Sequence, residues 1–155
     1  MTLDADDIYV DWDLWLIRLA RFISTRSKDP STKVGAVIVR PDKTIASTGY
    51  NGFPRGVVDD QARLDNREIK YKLVVHAEMN AILTAREPLH GYSLYLWPFA
   101  PCDRCAAAII QSGIKRIYAP DSTRRDHSER WAEAHKWADL MYAEAGVDLK
   151  LIGWS

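Results

Sequence analysis

The chain has only two cysteines in 155 residues, Cys102 and Cys105, and they lie three positions apart. A disulfide framework is therefore not expected, and a reducing cytoplasm that keeps both as thiol or thiolate fits the sequence best. The N-terminus carries Asp4, Asp6 and Asp7 instead of a basic segment that leads into an apolar run, so no secretory signal is visible. We expect a cytoplasmic protein.

The sequence also lacks a long apolar run and a net charge. Arg18 and Arg21 interrupt its richest hydrophobic stretch, which is far shorter than the ~20 residues that a membrane helix needs. Lys and Arg together number 21, as do Asp and Glu, so no net field draws the chain toward nucleic acid or membrane. The length and the ordinary globular composition predict one domain over residues 1–155.

Apolar periodicity and turn residues divide the chain into four helices and five strands. Asp11 or Asp13 can cap a first helix that ends at Ser24, and further helices are predicted over 76–86, 102–112 and 126–145. Strands are predicted over 34–39, 44–50, 92–97, 115–119 and 149–152. An antiparallel hairpin followed by alternating helices and strands predicts a mixed five-stranded sheet with helices on both faces.

The segment between the hairpin and the second helix is polar and rich in turn residues. Three glycines and Pro54 lie between residues 49 and 56, which predicts a structured loop. The polar run over 59–72 continues this loop and is interpreted either as a solvated excursion or as an interface. A loop of this length in a compact domain more often has a task than not.

One histidine and the two cysteines supply a ligand set that suits zinc with an open fourth position. Cys102 and Cys105 share one face of a helix N-terminus, where the helix dipole favours thiolate, and His76 begins another helix. Glu78 lies two positions after His76, so it can reach a bound water and carry protons. Because zinc lowers the pKa of such a water from about 15.7 to roughly 7, this pattern indicates a hydrolytic site.

Two other interpretations of the cysteines are weaker. In a thioredoxin-like redox pair the nearby His-x-Glu would have no role, and Pro101 precedes the cysteines instead of lying between them. A structural zinc would need a fourth protein ligand, and no third cysteine exists. His90, His127 and His135 have no obvious pairing with the site and are expected to be surface or packing residues.

The motifs identify the chain as similar to a known superfamily. H-A-E-M-N-A-I at 76–82, P-C-D-R-C-A-A-A-I-I at 101–110, V-G-A-V-I-V at 34–39 and S-G-I-K-R-I-Y at 112–118 resemble the cytidine deaminase-like proteins. S-K-D-P-S-T-K-V-G-A at 27–36 and G-Y-N-G-F-P-R-G at 49–56 narrow the resemblance to the deoxycytidylate (dCMP) deaminases. The resemblance spans about residues 14–147 and implies the three-layer α-β-α cytidine deaminase-like fold.

The resemblance also implies a reaction, the hydrolytic deamination of dCMP to dUMP and ammonia, which supplies dUMP for dTMP synthesis. His76, Cys102 and Cys105 would bind one catalytic zinc per chain, zinc-activated water would add to C4 of cytosine, and Glu78 would shuttle the proton. Further residues are implied to contact the substrate: Ala77 through its backbone N–H to the pyrimidine carbonyl, Asn51 at the sugar, and Arg26, Ser27, Lys28 and Tyr118 as candidates for the phosphate.

Some dCMP deaminases are hexamers that dCTP activates and dTTP inhibits, and the effector lies near the G-Y-N-G-F-P loop. We therefore expect a homohexamer in which Asn51, Gly52 and Arg55 lie close to an effector, with Mg²⁺ accompanying a bound triphosphate. The tryptophans near the C-terminus, Trp131, Trp137 and Trp154, are interpreted as packing for the last helix or as cover for a subunit interface.

Two other functions stay open. Another zinc deaminase, acting on tRNA adenosine or on free cytidine or cytosine, would have the same metal chemistry, although the balanced charge argues against a nucleic-acid partner. A deaminase-like module without catalysis would usually have lost Glu78 or a metal ligand, and all four residues are present.

Overall fold

A computed structural model describes residues 11–121 and 129–153. The strands are β1 (Gly35–Val39), β2 (Ile45–Tyr50), β3 (Ser93–Trp97), β4 (Arg116–Pro120) and β5 (Asp148–Ile152). The helices are α1 (Trp12–Ser24), α2 (Gln61–Asp65), α3 (Arg67–Leu73), α4 (Ala77–Thr84), α5 (Asp103–Ser112) and α6 (Glu129–Ala145). The start predicted for the last helix, 126–128, lies outside the described residues.

The five strands form one mixed sheet in the order β2-β1-β3-β4-β5. β1 pairs antiparallel with both β2 and β3, whereas β3, β4 and β5 run parallel to one another. The parallel part follows from the helical crossovers, since a helix between two strands returns the chain to the same end of the sheet. The predicted hairpin and the mixed five-stranded sheet are confirmed.

Alternating side chains of β1 contribute to two cores, one on each face of the sheet. Val37 and Val39 pack under α1. Asp11 is the N-cap of this helix, and its side chain accepts a hydrogen bond from the backbone N–H of Leu14 at 2.9 Å. Ala36 and Ile38 face the larger core, to which α4, α5 and α6 contribute. Helices on both faces are thereby confirmed. No helix in the described ranges is both long enough and apolar enough to cross a membrane.

The polar run over 59–72 was predicted to continue the preceding loop. That prediction is corrected, because most of the run is helical. Asp60 caps α2 by accepting a hydrogen bond from the backbone N–H of Arg63 at 2.9 Å, and Asn66 caps α3 in the same way for Ile69 at 3.1 Å. Leu64 is buried, and so is Lys70 on the following helix. The two caps add to a favourable helix preference, since most residues of α2 and α3 are strong helix formers such as Arg, Glu, Lys and Leu.

Candidate active site

Helices α4 and α5 begin next to each other, and their first residues bring the predicted metal ligands together. His76 and Cys102 are the N-cap residues of the two helices, and neither side chain caps its own helix. The ligand atoms of His76, Cys102 and Cys105 all lie within 4.8 Å of one another. His76 Nδ1 lies 3.2 Å from Cys105 Sγ and 3.9 Å from Cys102 Sγ.

This donor set fits zinc. At the usual zinc–sulfur and zinc–nitrogen bond lengths, tetrahedral ligand atoms lie roughly 3.5–3.8 Å apart, within the range of separations found here. Three protein ligands leave the fourth position open, which is the arrangement of catalytic zinc sites. The alternative of a closed structural site would need a fourth ligand, and no other His, Cys, Asp or Glu joins this group in the described part of the chain.

The two sulfurs carry different proton affinities. A hydrogen bond from Cys105 lowers the pKa of the Cys102 thiol to about 4, and His76 adds to this effect against the opposing cost of burial. The pKa of Cys105 is raised, because it donates that hydrogen bond and is buried. One thiolate is therefore present at neutral pH, and a dication would favour loss of the second proton as well.

Glu78 lies beside the three ligands but is not one of the group that can share a metal ion. Its Oε1 lies 3.4 Å from Cys105 Sγ and 3.8 Å from His76 Nδ1, and the residue is 5% exposed. Burial raises the pKa of this carboxyl group. A carboxyl with a raised pKa next to an open metal position can both accept and return a proton near neutral pH.

A close approach of two backbones fixes the helix that carries His76 and Glu78. Helix α4 lies on β2 at Gly49, where an added Cβ would come within 2.4 Å of the carbonyl oxygen of Ala77 and 2.5 Å of the nitrogen of Ala81. The hydroxyl of Ser47 donates a hydrogen bond to the Ala81 carbonyl at 2.7 Å. Only glycine permits this contact, so β2 sets the position of the metal site.

The site lies in a cavity of about 630 Å³, a volume typical of small-molecule sites. The cavity has His76, Glu78 and Cys102 in its wall, together with side chains from many other segments. Those that sequence reasoning did not assign to the site include Asp29, Asp65, Arg67, Lys70, Tyr71 and His135. Helical spacing offers a signal only within α3, where Arg67, Lys70 and Tyr71 recur on one face, because the extended backbone at Asn66 separates α3 from α2.

Asn51 lies in the wall of this cavity, and its amide is already bonded inside the protein. Its Oδ1 accepts a hydrogen bond from the backbone N–H of Val34 at 2.9 Å, and its Nδ2 donates to the Thr32 carbonyl at 2.9 Å. Nδ2 also lies 3.4 Å from Asp29 Oδ2. Both amide hydrogens are therefore used, while Oδ1 keeps one lone pair.

The predicted phosphate residues lie elsewhere. Arg26 and Lys28 line a second cavity of about 260 Å³, and the buried Ser27 donates its hydroxyl to the Asn51 carbonyl at 2.8 Å. Tyr118 is buried beneath α1, where its ring stacks on Tyr95 at 4.4 Å between centroids. The structure does not bring these four residues to the cavity that holds the metal ligands, and their role stays a prediction.

The predicted effector residues divide in the same way. Asn51 and Gly52 line the second cavity, whereas the exposed Arg55 does not.

The structure also gives positions for most of the other histidines and tryptophans named in the sequence analysis. His135 and Trp131 contribute to the metal-site cavity, His90 and Trp137 are exposed, and His127 and Trp154 lie outside the described residues.

Comparison with known proteins agrees with this geometry. The family model of the cytidine and deoxycytidylate deaminase zinc-binding region matches residues 10–120. The chain is 44% identical over 138 residues to an uncharacterized deaminase of Aliivibrio fischeri, covering 89% of this chain and 91% of that one. It is 37% identical over 150 residues to the deoxycytidylate deaminase of Homo sapiens, covering 93% and 81% respectively.

A solved structure shares the fold. The crystal structure of the dCMP deaminase from cyanophage S-TIM5 in its apo form superposes with a TM-score of 0.68, at 24% sequence identity. The match covers 90% of this chain and 96% of that one. The predicted cytidine deaminase-like fold is thereby confirmed.

Proposed function

The chain belongs to the zinc-binding family of cytidine and deoxycytidylate deaminases, and we propose that it hydrolyses dCMP to dUMP and ammonia. The observation that carries this conclusion is the convergence of three residues that can hold a metal ion, His76, Cys102 and Cys105, with the buried carboxyl group of Glu78 beside one cavity. Relatives named deoxycytidylate deaminase that match across nearly the whole chain support dCMP as the substrate.

The chemistry needs a nucleophile and a proton carrier at the same place. His76, Cys102 and Cys105 would hold the zinc ion, which would lower the pKa of a bound water to about 7 and so supply a nucleophile at neutral pH. Glu78 accepts a proton as the water oxygen adds to C4 of cytosine, and it protonates N3 of the ring. Glu78 then passes the proton of the new C4 hydroxyl to the exocyclic nitrogen, so that the C4=O bond of uracil forms as the C4–N bond breaks and ammonia leaves.

Two neighbouring groups are suited to orient the pyrimidine nucleotide. Ala77 is the first residue of α4, so its backbone N–H has no partner within the helix and is available to a carbonyl oxygen of the ring. Asn51 has used both amide hydrogens, so a contact with the sugar would use the remaining lone pair of Oδ1 and a sugar hydroxyl as the donor.

We also propose effector binding at the second cavity, where Gly52 lies with Arg26 and Lys28. The Arg26 guanidinium suits a nucleotide triphosphate such as dCTP or dTTP, with Mg²⁺ as its counterion, and Lys28 would join it by leaving its ion pair with Asp59. Arg55 would have to approach from the exposed loop. A homohexamer and a cytoplasmic location remain further proposals, the latter supported by two free cysteines that stand in a group able to hold a metal ion.

The test of the catalytic proposal is ammonia release by the purified, zinc-loaded protein. We expect turnover of dCMP and little or none of dCTP, with deoxycytidine and CMP as comparison substrates. Glu78→Gln should keep stoichiometric zinc while turnover falls about 10²–10⁴-fold, because general acid–base catalysis contributes that much. A zinc-loaded protein that releases no ammonia from dCMP would contradict the proposal and direct attention to tRNA adenosine or purine substrates.

A further inference from the structure

The mouth of the metal-site cavity carries a cationic, aromatic cluster that the catalytic steps do not use. Arg67, Tyr71 and the metal ligand His76 line the cavity and are exposed, whereas the carboxyl group of Glu78, which also lines it, is buried. Arg67 and Tyr71 therefore lie where the cavity opens to solvent. A pyrimidine nucleotide with its ring at the metal must extend its 5′-phosphate away from the buried end, toward such an opening.

Two cationic side chains, apart from histidines, line this cavity among the described residues, and only one of them is available to a ligand. Lys70 is committed, because its Nζ lies 3.0 Å from Asp29 Oδ1 and 3.2 Å from Ser31 Oγ in a buried ion pair. Arg67 donates through Nε to Tyr71 Oη at 2.8 Å. Within the described part of the chain its two terminal nitrogens make no hydrogen bond, so the end of the guanidinium can bind an anion.

A second guanidinium lies against the same tyrosine ring. The Cζ atom of Arg67 lies 5.2 Å from the ring centroid of Tyr71, and that of Arg130 lies 5.8 Å from it. Stacking on an aromatic ring holds a guanidinium in place without using its terminal hydrogen-bond donors. Two like charges gathered on one ring repel each other, and an anion bound between them would relieve that repulsion.

Asp65 also lines the cavity, but it does not neutralise the positive charge of Arg67. Its carboxylate accepts a hydrogen bond from Gln61 at 2.8 Å and forms no ion pair with Arg67 in the described residues. Arginine is the side chain best suited to a phosphate, because its planar fork donates two parallel hydrogen bonds to a pair of oxygens.

We infer that Arg67, held by Tyr71 and supported by Arg130, binds the 5′-phosphate of the substrate and makes the enzyme select nucleotides over nucleosides. The inference rests on the proposed function. The inference places the substrate phosphate in the metal-site cavity and not beside Arg26 and Lys28. These two residues line the second cavity, where Lys28 forms an ion pair with Asp59 at 3.0 Å.

The test compares dCMP with deoxycytidine, which lacks the phosphate, as substrates of the same variants. Arg67→Gln should lower kcat/KM for dCMP relative to deoxycytidine by about 10- to 100-fold, mainly through KM, since a charged hydrogen bond is lost. Arg130→Gln should lower the same ratio by about threefold to tenfold, because its support is electrostatic. Calorimetric binding should show that Arg67→Gln weakens dUMP by a similar factor and leaves deoxyuridine unaffected.

Matched controls separate this inference from general electrostatics and from the proposed function. Lys72→Gln removes an exposed cation from the same helix that does not line the cavity, and its substrate ratio should stay within twofold of the wild type. An unchanged ratio for Arg67→Gln, or a large fall for Arg26→Gln alone, would overturn the inference. If the wild-type protein does not turn over dCMP, the proposed function is contradicted. In that case the binding measurement still tests the phosphate site, and weaker binding of dUMP by Arg67→Gln would support it.

Discussion

Replacement of Gly49 by alanine is expected to damage catalysis from the far side of helix α4. The new Cβ would lie 2.4 Å from the Ala77 carbonyl oxygen and 2.5 Å from the Ala81 nitrogen, both backbone atoms that cannot rotate away. To reach ordinary van der Waals separation the helix must move outward by about 1 Å or more. Overpacking of this kind costs about 1–3 kcal/mol of stability.

The same displacement would move Glu78 and His76 away from the two cysteines at the start of α5, because the new Cβ clashes with atoms of α4 and not of α5. Because misplacement of a catalytic group by about 1 Å can reduce turnover 10²-fold, we expect a fall in kcat for dCMP of about that size. Steady-state ammonia release gives kcat, thermal unfolding gives stability, and metal analysis gives zinc content.

The control for this prediction is Gly153→Ala, since a Cβ at Gly153 meets nothing within 4 Å and its φ is not positive. That variant should match the wild type in melting temperature and in kcat. If Gly49→Ala also matched the wild type in both, the contact between β2 and α4 would not set the catalytic geometry, and the reasoning would be refuted.

Further predictions concern the buried ion pair and the metal. Lys70→Met should lower the free energy of unfolding by about 3–5 kcal/mol in chemical denaturation, because Asp29 would stay buried without its cation; a change below about 1 kcal/mol would contradict this. Burial alone would raise the pKa of Asp29, but hydrogen bonds from the Ser31 and Thr32 backbone and from Lys70 lower it overall. Its stabilising effect is therefore present above the unfolded pKa of about 3.9 and is lost as pH falls through the folded pKa. The stability difference between wild type and Asp29→Asn should stay constant above about pH 5 and shrink as the pH falls through the unfolded pKa toward the lower folded pKa; a difference that does not shrink there would contradict this. Cys105→Ser should lose zinc to a chelator that leaves the wild type loaded, because a hydroxyl is a much poorer zinc ligand than a thiolate; equal retention would remove Cys105 from the ligand set.

The metal centre was predictable because short sequence spacings fix its local geometry. Cys102 and Cys105 are one helical turn apart, so any helix that begins there places both sulfurs on one side. Glu78 stands two residues after His76 at the start of another helix, and its position beside the ligands follows from that spacing. Only the meeting of the two helix starts required the tertiary structure.

The helical caps at Asp60 and Asn66 explain why the structure has two helices where the polar sequence predicts a loop. Its sequence has no continuous apolar stripe, and the helices are short enough that capping hydrogen bonds decide their existence. Once formed, they bury Leu64 and Lys70 and turn one face toward the metal-site cavity. That outcome depends on contacts with residues far along the chain, such as the ion pair from Lys70 to Asp29.

The sequence by itself determined the five strands, the four longest helices and the family, and it predicts the zinc ligands and the proton carrier. These properties depend on local periodicity and on the identity and spacing of a few residues. The tertiary structure decided which side chains line the metal-site cavity: it placed Tyr118 under α1, left Arg26 out of the cavity wall and brought Arg67 into it. Such positions depend on how distant segments pack, and spacing along the chain does not specify them.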